Sequence, residues 1–480
     1  MALASQREGF LTLLKKKNFV RIWLAQLISL TVFNASNYGL LILIENITGS
    51  TTLVALAIIC FSLPAVLFGA PAGVFVDHMN KRRVLWGSNC LRAIASFIFV
   101  VSLLISHHLL LPVYLLTFLI SLISQFFTPA EGSTIPMLVS EEELMPALSL
   151  FNITFMLSQA LGYTIFGAAA LLLLPTFKLF GLTIDSIVQL YVIAGLLYLV
   201  CAQLIALIPQ KSFVQKSQPG QKTGPVASET LGILNSVWNE TRQGWSFVRG
   251  NKQLFLAVVQ LSFAGVLLLL ISLLAPTIVT KLLGFPASTM AFVFAPAGIG
   301  LVAGSILMPR ITKRLGRGRT VFIGILIMTA ATALVPLCTF LMRLLNPQHW
   351  NGSPILLSVI AFLMLMAGFG LDCVNIPAQT EMQELSPDWI KGRVLALQLV
   401  LYNAVSIPVL LFVGAISDIF GVDRVLYLMA AFELAFGLWG LYYARKHPPQ
   451  PPLKLEMEVG VIEEQYEADE IMPLEYHAID

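Results

Sequence analysis

Residues 253–282 read QLFLAVVQLSFAGVLLLLISLLAPTIVTKL, and the first 28 of them carry no charged side chain. A soluble helix keeps a polar face toward water, and this run has none. At about 1.5 Å per residue it exceeds the ~30 Å hydrocarbon core of a bilayer, so it reads as a spanning helix. Working outward with a ruler of about 20 apolar residues per span gives twelve. Helices 1 to 6 lie near 19–44, 51–76, 84–106, 109–135, 144–174 and 186–208. Helices 7 to 12 lie near 253–282, 286–309, 319–345, 354–384, 392–417 and 421–444. Bulk composition agrees: 57% of residues are hydrophobic, 11% are charged, and the mean hydropathy is +0.83. A soluble domain carries about 25% charged residues, so lipid must cover most of this chain. The expected fold is an all-α membrane protein of twelve transmembrane helices in two six-helix halves.

Basic residues set the orientation, because loops rich in Lys and Arg stay in the cytoplasm. With the N-terminus there, 24 of the 29 Lys and Arg fall in cytoplasmic segments. Four, Lys178, Lys281, Arg343 and Arg424, fall outside, and Arg92 lies within helix 3. Both termini are therefore expected in the cytoplasm, with the protein integral to the plasma (inner) membrane. The net charge of +3 forms no nucleic-acid patch, and the five cysteines stand singly, without metal or disulfide spacing. His107-His108 read as surface residues of an outer loop. No signal peptide is visible, since the chain is polar as far as Asn18.

Four segments follow. Residues 1–208 form the first six-helix half and 253–444 the second. Residues 209–252 form a cytoplasmic linker whose second part, LGILNSVWNETRQGWSFVRGNKQL, spaces its apolar residues as an interfacial helix would, with Arg249 and Lys252 toward acidic lipid. The tail 445–480, with nine Asp or Glu between 456 and 480, reads as solvated and disordered. A weak repeat relates the halves: Thr128-Pro129-Ala130 ends helix 4 as Ile376-Pro377-Ala378 ends helix 10, and basic loops follow helices 2 and 8. Two related halves with a site between them are a plan used by transporters.

The stretch GVFVDHMNKRRVLWGSNCLRA (73–93) resembles the loop 2–3 signature of the major facilitator superfamily, G-x-x-x-D-[RK]-x-G-[RK]-[RK]. Gly73, Asp77, Lys81 and Arg82 match, while His78 and Asn80 depart from it. Asn80 followed by Asn89, Arg92 and Ala93 is similar to the branch of macrolide-efflux proteins and siderophore exporters. So are Thr48-Gly49-Ser50, the run 129–144 and the run 241–254. The resemblance implies a cytoplasmic gate of Gly73, Asp77, Lys81, Arg82, Arg83 and Arg92. Gly73 would let helix 2 approach a neighbour, and Asp77 would face the positive N-terminus of helix 11. The basic residues could equally serve topology alone. Arg92 lies too deep to reach water and calls for an anion, with Asp77 and Glu131 as choices.

Carboxylates inside spans are costly and mark function by default. Glu131 falls in helix 4, Asp372 in helix 10 and Glu433 in helix 12. The resemblance places helices 1, 4, 7 and 10 around a central cavity, which makes Asp372 the first ion-coupling candidate and Glu131 the second. Glu433 then reads as structural. Asn34, Asn37, Asn375, Asn152, Gln159 and Gln398 are the candidate substrate contacts, although such amides also join helices together. No P-loop is present, no cofactor or metal is expected, and the chain does not read as an enzyme. The leading expectation is a monomeric, proton-coupled secondary exporter of a small amphipathic molecule among membrane lipids. The alternatives are an uncoupled facilitator or lysolipid flippase on the same fold, and a non-transporting receptor or scaffold.

Overall fold

The computed structural model describes residues 12–77, 79–105, 109–179, 182–213 and 242–447. The acidic tail beyond His447 and linker residues 214–241 lie outside the described residues, as do His78 and His107-His108. Twelve helices are long and apolar enough to cross a membrane. In chain order α1 is Lys17–Thr48, α2 Thr51–Asp77, α3 Lys81–Ile105, α4 Leu110–Leu138, α5 141–173 and α6 Ser186–Ala206. In the second half α7 is 252–282, α8 Met290–Leu315, α9 Arg317–Leu345, α10 Pro354–Glu384, α11 Asp388–Phe420 and α12 Val422–Lys446.

The side-chain pattern of α3 shows why these helices belong in lipid. Leu91, Ile94, Ile98 and Val101 point outward and are exposed, while Ser88, Asn89, Arg92 and Ser96 point inward and are buried. Water would favour the reverse arrangement. Small residues then bring helices together. In α8, Gly300 and Gly304 make a G-x-x-x-G step against α10: a Cβ on Gly300 would fall 2.0 Å from the Leu365 carbonyl oxygen. In α5, Leu161–Gly167 widens into a π turn, and Gly162 and Gly167 lie directly on α1 at Asn34 and Tyr38. A short antiparallel hairpin, β1 (Phe177–Leu179) and β2 (Leu182–Ile184), joins α5 to α6. Three-residue strands leave too little alternation to be read from sequence.

The halves are joined unequally at their two ends. At the end bearing loops α1–α2, α7–α8 and α11–α12, one apolar core runs from Leu41, Ile44 and Val54 of the first half to Leu270, Leu274 and Leu410 of the second. At the opposite, basic end each half has its own core. Phe19, Ile22, Val76, Leu85 and Ile135 form one. Val248, Leu254, Met382, Ile390 and Val394 form the other. The part of the linker that is described, a helix over 242–250, inserts Phe247 and Val248 into that second core.

Candidate functional site

At the basic end, the turn from α2 to α3 is tied down by its own polar groups. Asn80 Oδ1 accepts from the Arg83 backbone N–H at 3.2 Å, which makes Asn80 an N-cap for α3 and explains an Asn there. Lys81 Nζ donates to the Val76 carbonyl at 2.7 Å, and an Arg82 nitrogen donates to the Ala206 carbonyl at the end of α6 at 2.6 Å. Cations on the last carbonyls of α2 and α6 complement the negative helix ends. The Arg83 side chain is exposed. Asp77 is the last residue of α2, and its side chain is outside the described ones. Among the described residues, a Cβ on Gly73 would meet nothing within 4 Å. At this end the described buried residues of the two halves fall into separate cores.

Within the first half, Arg92 and Glu131 do come together. Arg92 is 2% exposed. Its Nη1 donates to Ser29 Oγ on α1 at 2.7 Å, and its guanidinium lies 4.6 Å from the Phe127 ring centre and 5.7 Å from that of Tyr198. Those faces stabilise a cation held away from water. Glu131 is buried on α4 one turn beyond Phe127, the ring that the Arg92 guanidinium faces. Even so, Arg92 Nε and Glu131 Oε1 are both buried with no hydrogen-bond partner among the described residues. Asn89, one turn before Arg92, accepts from Ser29 Oγ at 3.4 Å. The Asn89–Arg92 pair of the sequence thus anchors α3 to α1.

Asp372 departs from its expected place. It is 5% exposed and faces α8, where its Oδ2 accepts from Ser305 Oγ at 2.8 Å. The glycine step of α8 is the cause: a Cβ on Gly304 would sit 2.8 Å from Asp372 Cβ, so no room is left for an open cavity on that side. Arg92 is held within the first half and lends Asp372 no charge partner. Asn375 is half-buried one turn on, with no hydrogen bond to Asp372 among the described residues. Glu433 is buried and accepts from Thr332 Oγ1 of α9 at 3.3 Å to each oxygen, as a structural residue would.

The amide residues divide in two. Asn34 donates to the Leu30 carbonyl at 2.8 Å and packs under Gly162, so it lies where α5 meets α1. Asn37 is buried and its Nδ2 has no partner among the described residues. On α5, Phe151, Thr154 and Ser158 are buried, while Asn152, Met156 and Gln159 lie exposed on the opposite face. Gln398 on α11 is half-buried.

Two carboxylates at the far end escaped the sequence reading. Glu45 is 4% exposed and accepts from Thr280 Oγ1 at 2.7 Å and Thr277 Oγ1 at 3.3 Å, both on α7. Asp418 accepts from the Thr51 N–H at 2.7 Å, the Thr52 N–H at 2.9 Å and the Ser50 Oγ at 2.6 Å. Each residue falls a single position beyond the expected end of its helix, 44 and 417. The available signal was Gly414-Ala-Ile-Ser-Asp418, the same G-x-x-x-D spacing as Gly73 to Asp77.

Known proteins share this architecture. A bacterial homologue of the human lysosomal transporter Spinster, inward-facing and unoccupied, superposes with a TM-score of 0.65 at 13% identity, covering 91% of this chain and 99% of that one. A bacterial homologue of the iron transporter ferroportin, inward-facing, gives 0.63 at 14%, covering 90% and 99%. At such identities the likeness shows the fold alone. In sequence, macrolide efflux protein A of Streptococcus pyogenes is 26% identical over 179 residues, which is 36% of this chain and 44% of that protein, so the match spans less than half its length. The MFS-type transporter YfiS of Bacillus subtilis is 26% identical over 343 residues, 71% of this chain and 72% of that protein. The family profile described as Major Facilitator Superfamily matches residues 22–408. Together with the twelve spans in two six-helix halves, that match makes the chain an integral membrane protein belonging to the major facilitator superfamily.

Proposed function

We propose that this protein is a proton-coupled exporter of a small amphipathic molecule, acting as a monomer in the plasma membrane with both termini in the cytoplasm. The observation that carries the reading is the unequal joining of the halves. A core shared at one end and split at the other is what alternating access requires of a state open on one side. The split end carries the basic loops, so the open side is cytoplasmic. Asn37, Asn152, Gln159, Asn375 and Gln398 are the candidate substrate contacts, and a few amides among apolar side chains suit an amphipathic ligand. The likeness to macrolide efflux protein A makes a macrolide the first compound to try.

Glu131 beside Arg92 is the favoured coupling site, with Asp372 second. Glu131 has a buried oxygen without a partner among the described residues and faces the helix that carries Arg92, so its protonation changes the balance of charge around Arg92. Asp372 has a hydroxyl donor instead and no cation within its ion-pair range among the described residues. A proton taken up from outside and released to the cytoplasm drives the substrate the other way. The test is uptake of a radiolabelled macrolide into inside-out proteoliposomes under an imposed pH gradient. Wild-type protein should concentrate the compound, and Glu131→Gln should lose uphill transport yet keep exchange down a gradient. Equilibration without accumulation in the wild type would favour an uncoupled facilitator. Loss of uphill transport in Asp372→Asn and not in Glu131→Gln would move the coupling to Asp372.

A further inference from the structure

The expected gate joins α2 to α11 at the cytoplasmic end, through a carboxylate on the last turn of α2. The structure holds the reciprocal contact at the outer end. Asp418 lies on the last turn of α11 and reaches the first turn of α2. Its carboxylate accepts from the backbone N–H groups of Thr51 and Thr52 and from the hydroxyls of Ser50 and Thr52, at 2.6 to 2.9 Å. A carboxylate on the free N–H groups of a helix N-terminus is a charge-assisted contact. The two helices also touch backbone to backbone there. A Cβ on Gly414 would lie 3.0 Å from Thr52 Cα and 3.2 Å from the Thr51 carbonyl oxygen. Thr51 Oγ1 also donates to Ser417 Oγ at 3.2 Å, and Lys281 of α7 stands 4.0 Å from Asp418 and donates to the Gly49 carbonyl.

These contacts cross from one half of the protein to the other, so they cannot survive a state in which the outer end opens. Asp418 and Asp77 each follow a glycine by four residues and each close a helix of the same pair, at opposite membrane faces. We propose that Asp418, with Gly414, is the outer latch of the transport cycle, holding α11 on the N-terminus of α2 while the cytoplasmic side is open. The inference rests on the alternating-access reading above. Releasing Asp418 is the step that exposes the site to the outside, and engaging Asp77 at the other end is its counterpart.

The experiment is pulsed electron–electron resonance between spin labels at Lys178, on the outer hairpin of the first half, and Gln348, in the outer loop between α9 and α10. The background is a transport-competent protein with its five cysteines replaced. Wild type should show mainly the short distance of a closed outer end. Asp418→Asn should raise the long-distance fraction about tenfold, the order expected for loss of charge-assisted hydrogen bonds. Gly414→Ala should shift it the same way by wedging the helices apart. Asp77→Asn, which weakens the opposite latch, should shift the balance back in the double variant Asp77→Asn/Asp418→Asn. A purely structural contact would give no such compensation. If Asp418→Asn and Gly414→Ala keep the wild-type distances while turnover with substrate still opens the outer end, the latch assignment is wrong and alternating access stands. If no variant and no turnover condition opens the outer end, alternating access fails and the latch falls with it.

Discussion

At the scale of single residues, the central relationship is between Arg92 and Glu131. Both are buried in the first half, and each keeps one polar atom without a hydrogen-bond partner among the described residues. Removing one charge leaves the other uncompensated in a low-dielectric interior, whereas removing both relieves the problem. Arg92→Gln should therefore lower the stability of the detergent-solubilised protein by about 2–4 kcal/mol. Arg92→Gln/Glu131→Gln should recover part of the loss, with a coupling of at least about 1 kcal/mol in a thermal-unfolding double-mutant cycle. Additive losses would mean the two charges do not sense each other. Sequence reasoning could single out both residues, because an ionisable group inside an apolar run is visible without coordinates. It could also offer Glu131 as the anion for Arg92. What it could not give is where a side chain points. Asp372 was expected on the cavity and faces Ser305 instead. Asn34 was expected to meet substrate and bonds its own helix.

At the scale of elements, glycines decide which helices touch. A Cβ on Gly162 would lie 2.5 Å from Asn34 Cβ and 2.6 Å from the Thr31 carbonyl oxygen, and backbone cannot yield as a side-chain tip can. Gly162→Ala should thus force α5 off α1 and destabilise the protein by about 1–3 kcal/mol. Gly132→Ala in α4 is the matched control, since a Cβ there meets nothing within 4 Å. It should be neutral or stabilising by up to about 1 kcal/mol. Equal melting temperatures for the two variants would contradict the packing argument. The twelve spans were legible because each is an apolar run of membrane length, and their ends were not. Helical residues continue past the apolar run until a cap or a glycine stops them. α1 runs on to Thr48, where Gly49 adopts φ 58°, and α11 runs on to Gly421 at φ 91°. Those few extra residues contain Glu45 and Asp418. The π turn in α5 was likewise invisible, since its residues are as apolar as those of a regular helix.

At the scale of the whole molecule, charge and packing describe one axis. The basic residues crowd the end at which the cores separate, and the opposite end is sealed by Glu45, Asp418 and the shared core. Reporter fusions at Gly220 and after His447 should report the cytoplasm, and a fusion at Gln348 the outside. A cytoplasmic signal at Gln348 would break the twelve-span topology. The two-half plan could be anticipated from the Thr128-Pro129-Ala130 and Ile376-Pro377-Ala378 repeat, but the state of the protein could not. Which end is closed depends on contacts hundreds of residues apart, such as Thr51 with Asp418, and no local pattern encodes them. The most direct test of the account is labelling of a cysteine at Gln159, on the exposed face of α5, with a membrane-impermeant maleimide in vesicles of known orientation. With neither substrate nor gradient, modification should be at least about tenfold faster from the cytoplasmic side than from the outside, and a bound macrolide should slow it. Faster modification from the outside would contradict a protein at rest with its outer end latched and its cytoplasmic side open.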